Sequence, residues 1–119
     1  MGEQEAFSSR FEIDAEKRVC VVSLAGTLDP VAVDDLHPQV QELIRAGFRR
    51  FVFDLSKLEY MGSLGLRLLL GLANQLKGDG SMVLCSVTEG VRSIFEMTKV
   101  DHVLRICSSR TEAVDALGG

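Results

Sequence analysis

One continuous run, FDLSKLEYMGSLGLRLLL at residues 53–70, limits the folds open to this chain more than any other segment. Its apolar beginning predicts a buried strand that ends at Asp54. A short polar turn comes next, and Gly62-Ser63 opens a leucine-rich helix predicted over residues 64–76. The first N–H groups of a helix have no partner within it and favour negative charge. The pattern therefore predicts a strand–turn–helix junction that places the Ser63 hydroxyl where an anion is stabilised.

Two strand patterns precede this junction near the N-terminus. Residues 11–14 alternate apolar and acidic side chains, as in a half-buried strand, and residues 19–25 are apolar and rich in β-branched side chains. A polar break separates them, so we expect an antiparallel hairpin. Residues 26–30, with Gly26 and Pro30 at their ends, predict a turn or loop after the second strand.

A first helix is predicted over residues 34–46 from an apolar stripe at helical spacing. Proline is tolerated only near a helix start, so Pro38 places the N-cap at Asp34 or Asp35. The later elements are a strand at 49–55, the helix at 64–76, a strand at 82–87, a helix capped by Thr88, a strand at 102–107 and a helix opened by the capping box Ser109-x-x-Glu112.

This order, ββαβαβαβα, predicts an α/β fold. Helices between successive strands imply right-handed crossovers, and hence a mixed, mostly parallel central sheet of about five strands with four helices. The hairpin adds one antiparallel edge. No linker, repeat or low-complexity segment divides the chain, so we expect a single domain over residues 8–117 after an N-terminal tail of residues 1–7.

Charge and apolar content argue against two classes of function. The net charge of −4 offers no basic face to displace counterions from nucleic acid. The apolar runs are much shorter than the roughly 20 residues that cross a bilayer, so we expect no direct membrane insertion. Cys20, Cys85 and Cys107 lie in apolar runs, which predicts buried free thiols and no disulfides. Together with the lack of a signal-peptide pattern, this predicts a cytoplasmic protein.

Residue patterns for catalysis or metal binding are scarce. His37 and His102 lie far apart in the sequence, with no cluster at metal-ligand spacing. The string Gly62-Ser63-Leu64-Gly65 lacks the lysine and the length of a phosphate loop, so it is weak evidence for nucleotide binding. We therefore predict a protein that is not an enzyme and uses no cofactor or metal. Asp54 has two open interpretations, an ion pair or simply the end of a strand.

Two interpretations of Ser63 also compete. In the first, Ser63 is a helix N-cap whose oxygen accepts a bond from an N–H two or three residues on, which contributes about 1 kcal/mol. In the second, Ser63 is a phosphorylation site. Phosphate adds about −1.5 to −2 charges at the positive end of the helix dipole, so the fold would tolerate it while a partner with an acidic or apolar surface would not.

Four local strings, together with the order of elements, resemble the STAS domain, the family of anti-sigma factor antagonists and sulfate-transporter C-terminal domains. Residues 26–29 resemble the family's Gly-Glu-Leu-Asp turn, and residues 51–56 its apolar strand ending in Asp-Leu-Ser. Residues 60–66 resemble its Asp-Ser-Ser-Gly-Leu segment, and residues 109–117 its capped C-terminal helix. The resemblance covers residues 8–117, nearly the whole chain.

The resemblance implies a function and a set of site residues. In the family's segment the first Ser is phosphorylated by a partner anti-sigma kinase, which corresponds to Ser63 here. The implied function is an anti-sigma factor antagonist that binds an anti-sigma factor of the ATP-binding serine kinase type, releases a sigma factor, and is switched off by phosphorylation. The residues implied in partner binding are Asp29, Tyr60, Gly62, Ser63, Leu64 and Arg67.

Three residues depart from the family pattern and motivate an alternative. Gly62 stands where the family usually has Asp, Leu64 replaces the second Ser, and Arg67 occupies a position that is usually small. The alternative is a STAS scaffold that is not phosphorylated, or a subunit of a signalling or membrane-transport assembly. A third possibility, a small nucleotide-binding protein, rests only on the glycines near the helix start.

Overall fold

A five-stranded mixed sheet with four α-helices makes up the protein in a computed structural model, which describes residues 6–118. The element order is the predicted ββαβαβαβα. The elements are β1 (Ser8–Asp14), β2 (Val19–Leu28), α1 (Pro30–Arg45), β3 (Arg50–Met61), α2 (Ser63–Gln75), β4 (Ser81–Cys85), α3 (Glu89–Thr98), a 3₁₀ turn (Val100–His102), β5 (Arg105–Cys107) and α4 (Arg110–Gly118). Most of the predicted tail at residues 1–7 lies outside the described residues.

The strands lie in the order β1-β2-β3-β4-β5, with β1 antiparallel to β2 and every other pair parallel. The hairpin register runs from Ser8 opposite Ala25 to Asp14 opposite Val19. A parallel pair needs a long crossover connection, and α1, α2 and α3 supply these connections between successive strands. The predicted antiparallel edge and parallel body of the sheet are therefore confirmed.

Helices cover both faces of the sheet. On β3, Phe51 and Phe53 belong to the larger buried cluster, which packs under α1, α2 and α3. Val52, which points to the other face, belongs to a smaller cluster with Ala113 and Leu117 of α4. Burial on both faces explains why this part of β3 reads as an unbroken apolar run rather than an alternating one.

The predicted turn at residues 26–30 and the predicted start of α1 are both wrong. Strand β2 continues to Leu28, and α1 begins at Pro30 with Asp29 as its N-cap. The Asp29 Oδ1 atom accepts a hydrogen bond of 2.8 Å from the Ala32 N–H, and proline suits the first helical position because it lacks an N–H that would go unpaired there. Pro38 thus lies inside the helix, on its exposed side.

The predicted end of β3 near Asp54 is also wrong, because the strand runs on to Met61. Its pairing with β2 shifts register twice. Between Ser23 and Ala25, β2 advances by two residues while β3 advances by three, from Asp54 to Lys57. A second shift follows between Gly26 and Thr27. These β-bulges absorb the extra residues of β3 and re-aim its side chains. The buried residues Leu55, Leu58 and Met61 consequently recur every three positions, and the polar residues between them led to the prediction of a turn.

The predicted strand at residues 102–107 is shorter than expected. Lys99 adopts the left-handed conformation at φ 61° and ends α3, a 3₁₀ turn occupies Val100–His102, and β5 comprises only Arg105–Cys107. The capping box of α4 is half formed. The Ser109 Oγ atom accepts the Glu112 N–H at 3.1 Å, as predicted, while the Glu112 carboxylate accepts from the hydroxyl of Ser108.

Candidate functional site

The carboxyl ends of β2 and β3 meet at one edge of the sheet, where α1 and α2 begin. Leu28 pairs with Met61 at the last position of this register, and the Gly62 N–H donates to the Leu28 carbonyl at 3.3 Å. Asp29 and Gly62, the next residues along each chain segment, are the N-caps of the two helices. The two helix starts therefore lie side by side.

Ser63 is the first residue of α2 and is exposed. Its interpretation as the N-cap is wrong, because Gly62 occupies that position with an extended backbone. No side chain accepts a hydrogen bond at this cap, and the first turn of α2 contains no acidic residue. The Ser63 hydroxyl is thus held at the positive end of a helix dipole without a local carboxylate in the same turn.

The helix start lies close against β2 at Gly65. A Cβ atom at this position would lie 2.9 Å from Cδ2 of Leu28 and 3.1 Å from its carbonyl oxygen. A Cβ atom here would therefore require the Leu28 side chain and backbone to shift by a few tenths of an ångström. The lack of a side chain at Gly65 lets the start of α2, which carries Ser63, lie close against β2.

Exposed apolar side chains surround this junction. Val31 is 77 % exposed, Tyr60 is 53 % exposed and Leu64 is 42 % exposed. Val31 lies one residue into α1, Tyr60 precedes the end of β3, and Leu64 follows Ser63. We call Asp29, Val31, Tyr60, Ser63 and Leu64 the junction surface. Such a group of exposed apolar residues with a polar rim is typical of a protein-binding surface.

The structure places all six predicted partner-binding residues at this edge of the sheet. Asp29, Tyr60, Ser63 and Leu64 are exposed, Gly62 is partly exposed, and Arg67 is exposed one turn further along α2. Sequence reasoning missed Val31, because the predicted helix began four residues too late. The string Asp29-Pro30, a good N-cap followed by a good first helical residue, was the signal that could have found it.

A groove of about 570 Å³ runs between α1 and α2 and opens beside Leu64 and Arg67. Buried Leu68 and Leu72 contribute to its lining from α2. From α1 it is lined by Val33, Asp34, His37 and Pro38, and Gly71 and Gln75 complete it on α2. Two hydrogen bonds between the amide side chains of Gln75 and Gln41, at 2.8 and 2.9 Å, join the two helices at that end.

The third helix is tied to the same end of β3. Thr88 stands at the N-cap of α3, as predicted, but its oxygen accepts no N–H from the helix, and its hydroxyl donates to the Leu58 carbonyl at 2.7 Å. A Cβ atom on Gly90 would lie 2.5 Å from the Glu59 carbonyl oxygen, so α3 also approaches the backbone closely. These contacts anchor the part of β3 that leads to Tyr60.

On the face of the sheet that α4 covers, Asp54 is 8 % exposed and forms an ion pair with Arg110. Of its two interpretations, the ion pair is therefore the correct one. Its Oδ2 atom accepts two hydrogen bonds from Arg110 of α4, and its Oδ1 atom accepts the Ser56 N–H at 3.0 Å. Burial alone would raise the pKa of the Asp54 carboxyl. The hydrogen bonds from Ser56 and the charge of Arg110 outweigh burial, so that pKa lies below its usual value.

Cys20, Cys85 and Cys107 are buried free thiols, as predicted. Burial raises the pKa of the Cys20 and Cys85 thiols to about 11, so neither is a thiolate near neutral pH. His37 and His102 are both exposed. Within residues 6–118, no three His, Cys, Asp or Glu side chains come together as a set that could hold a metal ion.

Comparison with known proteins places this geometry in a family. The STAS domain family model matches residues 10–113. The chain belongs to the STAS domain family. BtrV of Bordetella bronchiseptica, a candidate anti-sigma factor antagonist, is 30 % identical to this STAS domain over 108 residues, which are 90 % of this chain and 93 % of BtrV.

Solved structures share the fold of this STAS domain. An anti-sigma factor antagonist from Mycobacterium paratuberculosis superposes with a TM-score of 0.86 at 22 % identity and 96 % coverage of both chains. Unphosphorylated SpoIIAA gives a TM-score of 0.79 at 23 % identity, with 92 % of this chain and 95 % of SpoIIAA covered. Phosphorylated SpoIIAA from Bacillus gives a TM-score of 0.72 at 22 % identity, with 92 % of this chain and 98 % of SpoIIAA covered. None of the helices in residues 6–118 is both long and apolar enough to span a bilayer.

Proposed function

We propose that this STAS domain is an anti-sigma factor antagonist, a non-enzymatic regulator that binds an anti-sigma factor of the ATP-binding serine kinase type and so releases a sigma factor. The observation that carries the proposal is the exposed Ser63 hydroxyl at the start of α2, surrounded by the exposed apolar side chains of the junction surface. The likeness to BtrV and to the antagonist from Mycobacterium paratuberculosis supports it.

Ser63 is the proposed phosphorylation site. Its oxygen would attack the γ-phosphorus of ATP bound to the kinase, the bond from that phosphorus to ADP would break, and a base of the kinase would take the hydroxyl proton. Ser63 is exposed, so its hydroxyl can enter another protein's active site without unfolding of the STAS domain. SpoIIAA, which shares the fold, has been solved in both an unphosphorylated and a phosphorylated form.

Phosphate at this position would act on the complex and not on the fold. The added charge of about −1.5 to −2 lies at a helix N-terminus, which stabilises anions. The same charge lies beside Tyr60 and Leu64, where a partner in contact would have to desolvate it. Phosphorylation is therefore expected to release the partner while the STAS domain stays folded.

The test compares Ser63→Asp with Ser63→Ala and with a control, using the anti-sigma factor encoded nearest to this gene and isothermal calorimetry. Thr111→Asp is the matched control, because it adds the same charge in the first turn of α4, which packs on the opposite face of the sheet. Ser63→Asp should weaken binding more than tenfold, about 1.4 kcal/mol, while Ser63→Ala and Thr111→Asp stay near the wild-type affinity. Equal affinities for the wild type and Ser63→Asp would contradict the switch.

The STAS scaffold without phosphorylation is the second candidate, and Gly62 and Leu64 favour it. Gly62 puts no carboxylate beside Ser63, and Leu64 presents an apolar side chain where the family has a second hydroxyl. Incubation with the kinase and ATP, followed by mass spectrometry, separates the two candidates. Phosphate on Ser63 supports the switch, whereas a chain that binds the kinase and stays unmodified at Ser63 supports the scaffold.

A further inference from the structure

Arg67 has a geometric relation to Ser63 that the family resemblance does not explain. The two residues are four positions apart on α2, so they are neighbours on one face with Cβ atoms about 5–6 Å apart. Side chains of a helix lean towards its N-terminus, which directs Arg67 towards the turn that Ser63 begins. Both side chains are exposed.

The guanidinium of Arg67 makes no ion pair with a carboxylate in the described part of the chain. Between residues 6 and 118, the arginine ion pairs engage Arg45, Arg49 and Arg110. Arg67 instead lines the groove between α1 and α2, where Asp34 is the acidic residue on the facing helix. Both side chains line the groove, but they form no ion pair with an N–O distance within 4.0 Å, so the cation can turn towards a new anion without first breaking one.

We infer that Arg67 is the counter-ion of the phosphate on Ser63, and that phosphorylation draws its guanidinium out of the groove. This inference rests on the proposed function, because it needs Ser63 to carry phosphate. An anion that is N-terminal to a cation at i,i+4 spacing is the favourable orientation on a helix. Guanidinium also matches phosphate well, because it donates two parallel hydrogen bonds.

This pairing changes what phosphorylation does to the surface. The modification adds a negative charge at Ser63 and also withdraws a positive one from the groove beside Leu64. A partner that places a carboxylate near Arg67 would lose that interaction at the same time as it meets the phosphate. One covalent event would then alter both the junction surface and the groove.

The experiment uses the full chain with phosphoserine encoded at position 63, so that neither a kinase nor a partner is needed. Phosphorus NMR follows the phosphate resonance between pH 4 and pH 8 at low ionic strength. Arg67→Gln removes the proposed counter-ion. Arg50→Gln is the matched control, because Arg50 is exposed at the opposite end of β3 from the junction.

The phosphate pKa should be lower in the wild type than in Arg67→Gln by about 0.3 unit or more, which corresponds to an i,i+4 ion pair. Arg50→Gln should match the wild type. The other charged and titratable groups near the junction, Asp29 at the N-cap of α1, Asp34 and His37 of α1 and Tyr60 of β3, are the same in all three proteins. In 1 M salt the difference should shrink, because exposed charges are screened.

Equal phosphate pKa values in Arg67→Gln and Arg50→Gln would overturn the inference. The Arg67 Nε–H resonance gives a second measurement, since it should shift on phosphorylation and follow the phosphate titration. Failure of the proposed function is a separate result. If phosphoserine leaves partner affinity unchanged while the resonances behave as expected, the ion pair stands and the regulatory proposal does not.

Discussion

The guanidinium of Arg110 donates two hydrogen bonds to one carboxylate oxygen of Asp54, from Nε at 3.1 Å and from Nη2 at 3.0 Å. The same group donates to the Ser23 hydroxyl at 2.8 Å and to the Glu12 carboxylate at 3.3 Å. Arg110 of α4 is thereby bonded to β1, β2 and β3. Because Asp54 is buried, this pair ties α4 to the face of the sheet opposite the one covered by α1, α2 and α3.

Removing the charge of Asp54 should therefore destabilise the protein. Asp54→Asn removes the negative charge that faces Arg110 and places an amide NH2 where one of the two carboxylate oxygens accepts, so we expect a loss of about 1–3 kcal/mol at pH 7, measured by urea unfolding. Asp79→Asn is the control, because Asp79 pairs with Arg49 in solvent and should have little effect. Equal unfolding free energies for the two variants would contradict a stabilising role for the Asp54 pair.

Acid should act on the wild type through the same pair. The pKa of Asp54 is lower in the folded protein than in the unfolded chain, so its contribution is complete above the unfolded pKa of about 3.9 and disappears as pH falls through the folded value. The difference in unfolding free energy between the wild type and Asp54→Asn should thus shrink between pH 5 and pH 2. A difference that stays constant over this range would show that Asp54 is not the titrating group.

Two glycines of α2 should respond oppositely to alanine. Gly65→Ala forces a Cβ atom against Leu28 and should cost about 1–3 kcal/mol. At Gly71 the same atom meets open space, so Gly71→Ala should stabilise the protein by about 0.5–1 kcal/mol through helix propensity. Thermal unfolding measures the stability of both variants. A Gly65→Ala variant as stable as the wild type would show that α2 and Leu28 can move apart to accommodate the Cβ atom.

Apolar residues of the junction surface should carry much of the binding energy. Tyr60→Ala and Leu64→Ala should each weaken binding of the anti-sigma factor by about tenfold or more, because exposed aromatic and aliphatic side chains become buried on association. Val103→Ala is the control, since Val103 is 71 % exposed and follows the 3₁₀ turn, away from the junction. Calorimetry should give wild-type affinity for the control, and a comparable loss there would place the interface elsewhere.

Native thiols should resist alkylation. Cys20, Cys85 and Cys107 are buried, and burial raises the pKa of each thiol, so thiolate is scarce at pH 8. Iodoacetamide followed by mass spectrometry should show slow modification of the folded protein and complete modification of all three cysteines in denaturant. Rapid reaction of one native cysteine would indicate local opening around that strand.

Local patterns were enough to predict the element order and the mixed sheet. Helical and strand periodicities depend on neighbours along the chain, so the stripes of α1 and α2 and the alternation at the end of β1 could be recognised directly. The position of Ser63 at the start of α2 followed from Gly62 and the leucine run. The exact cap did not follow, because Gly62 and Ser63 are both acceptable N-cap residues, and in the structure Gly62 is the cap.

Long-range contacts decided the features that the sequence left open. Strand β3 continues to Met61 because β2 pairs with it through two bulges, and no local pattern reveals a partner strand. The pairing of Asp54 with Arg110 joins residues 56 positions apart and depends on α4 docking on that face. The sequence by itself determined the elements, their order and the family. Tertiary structure decided where β3 ends and which side chains surround Ser63, because these depend on contacts between segments that periodicity cannot relate.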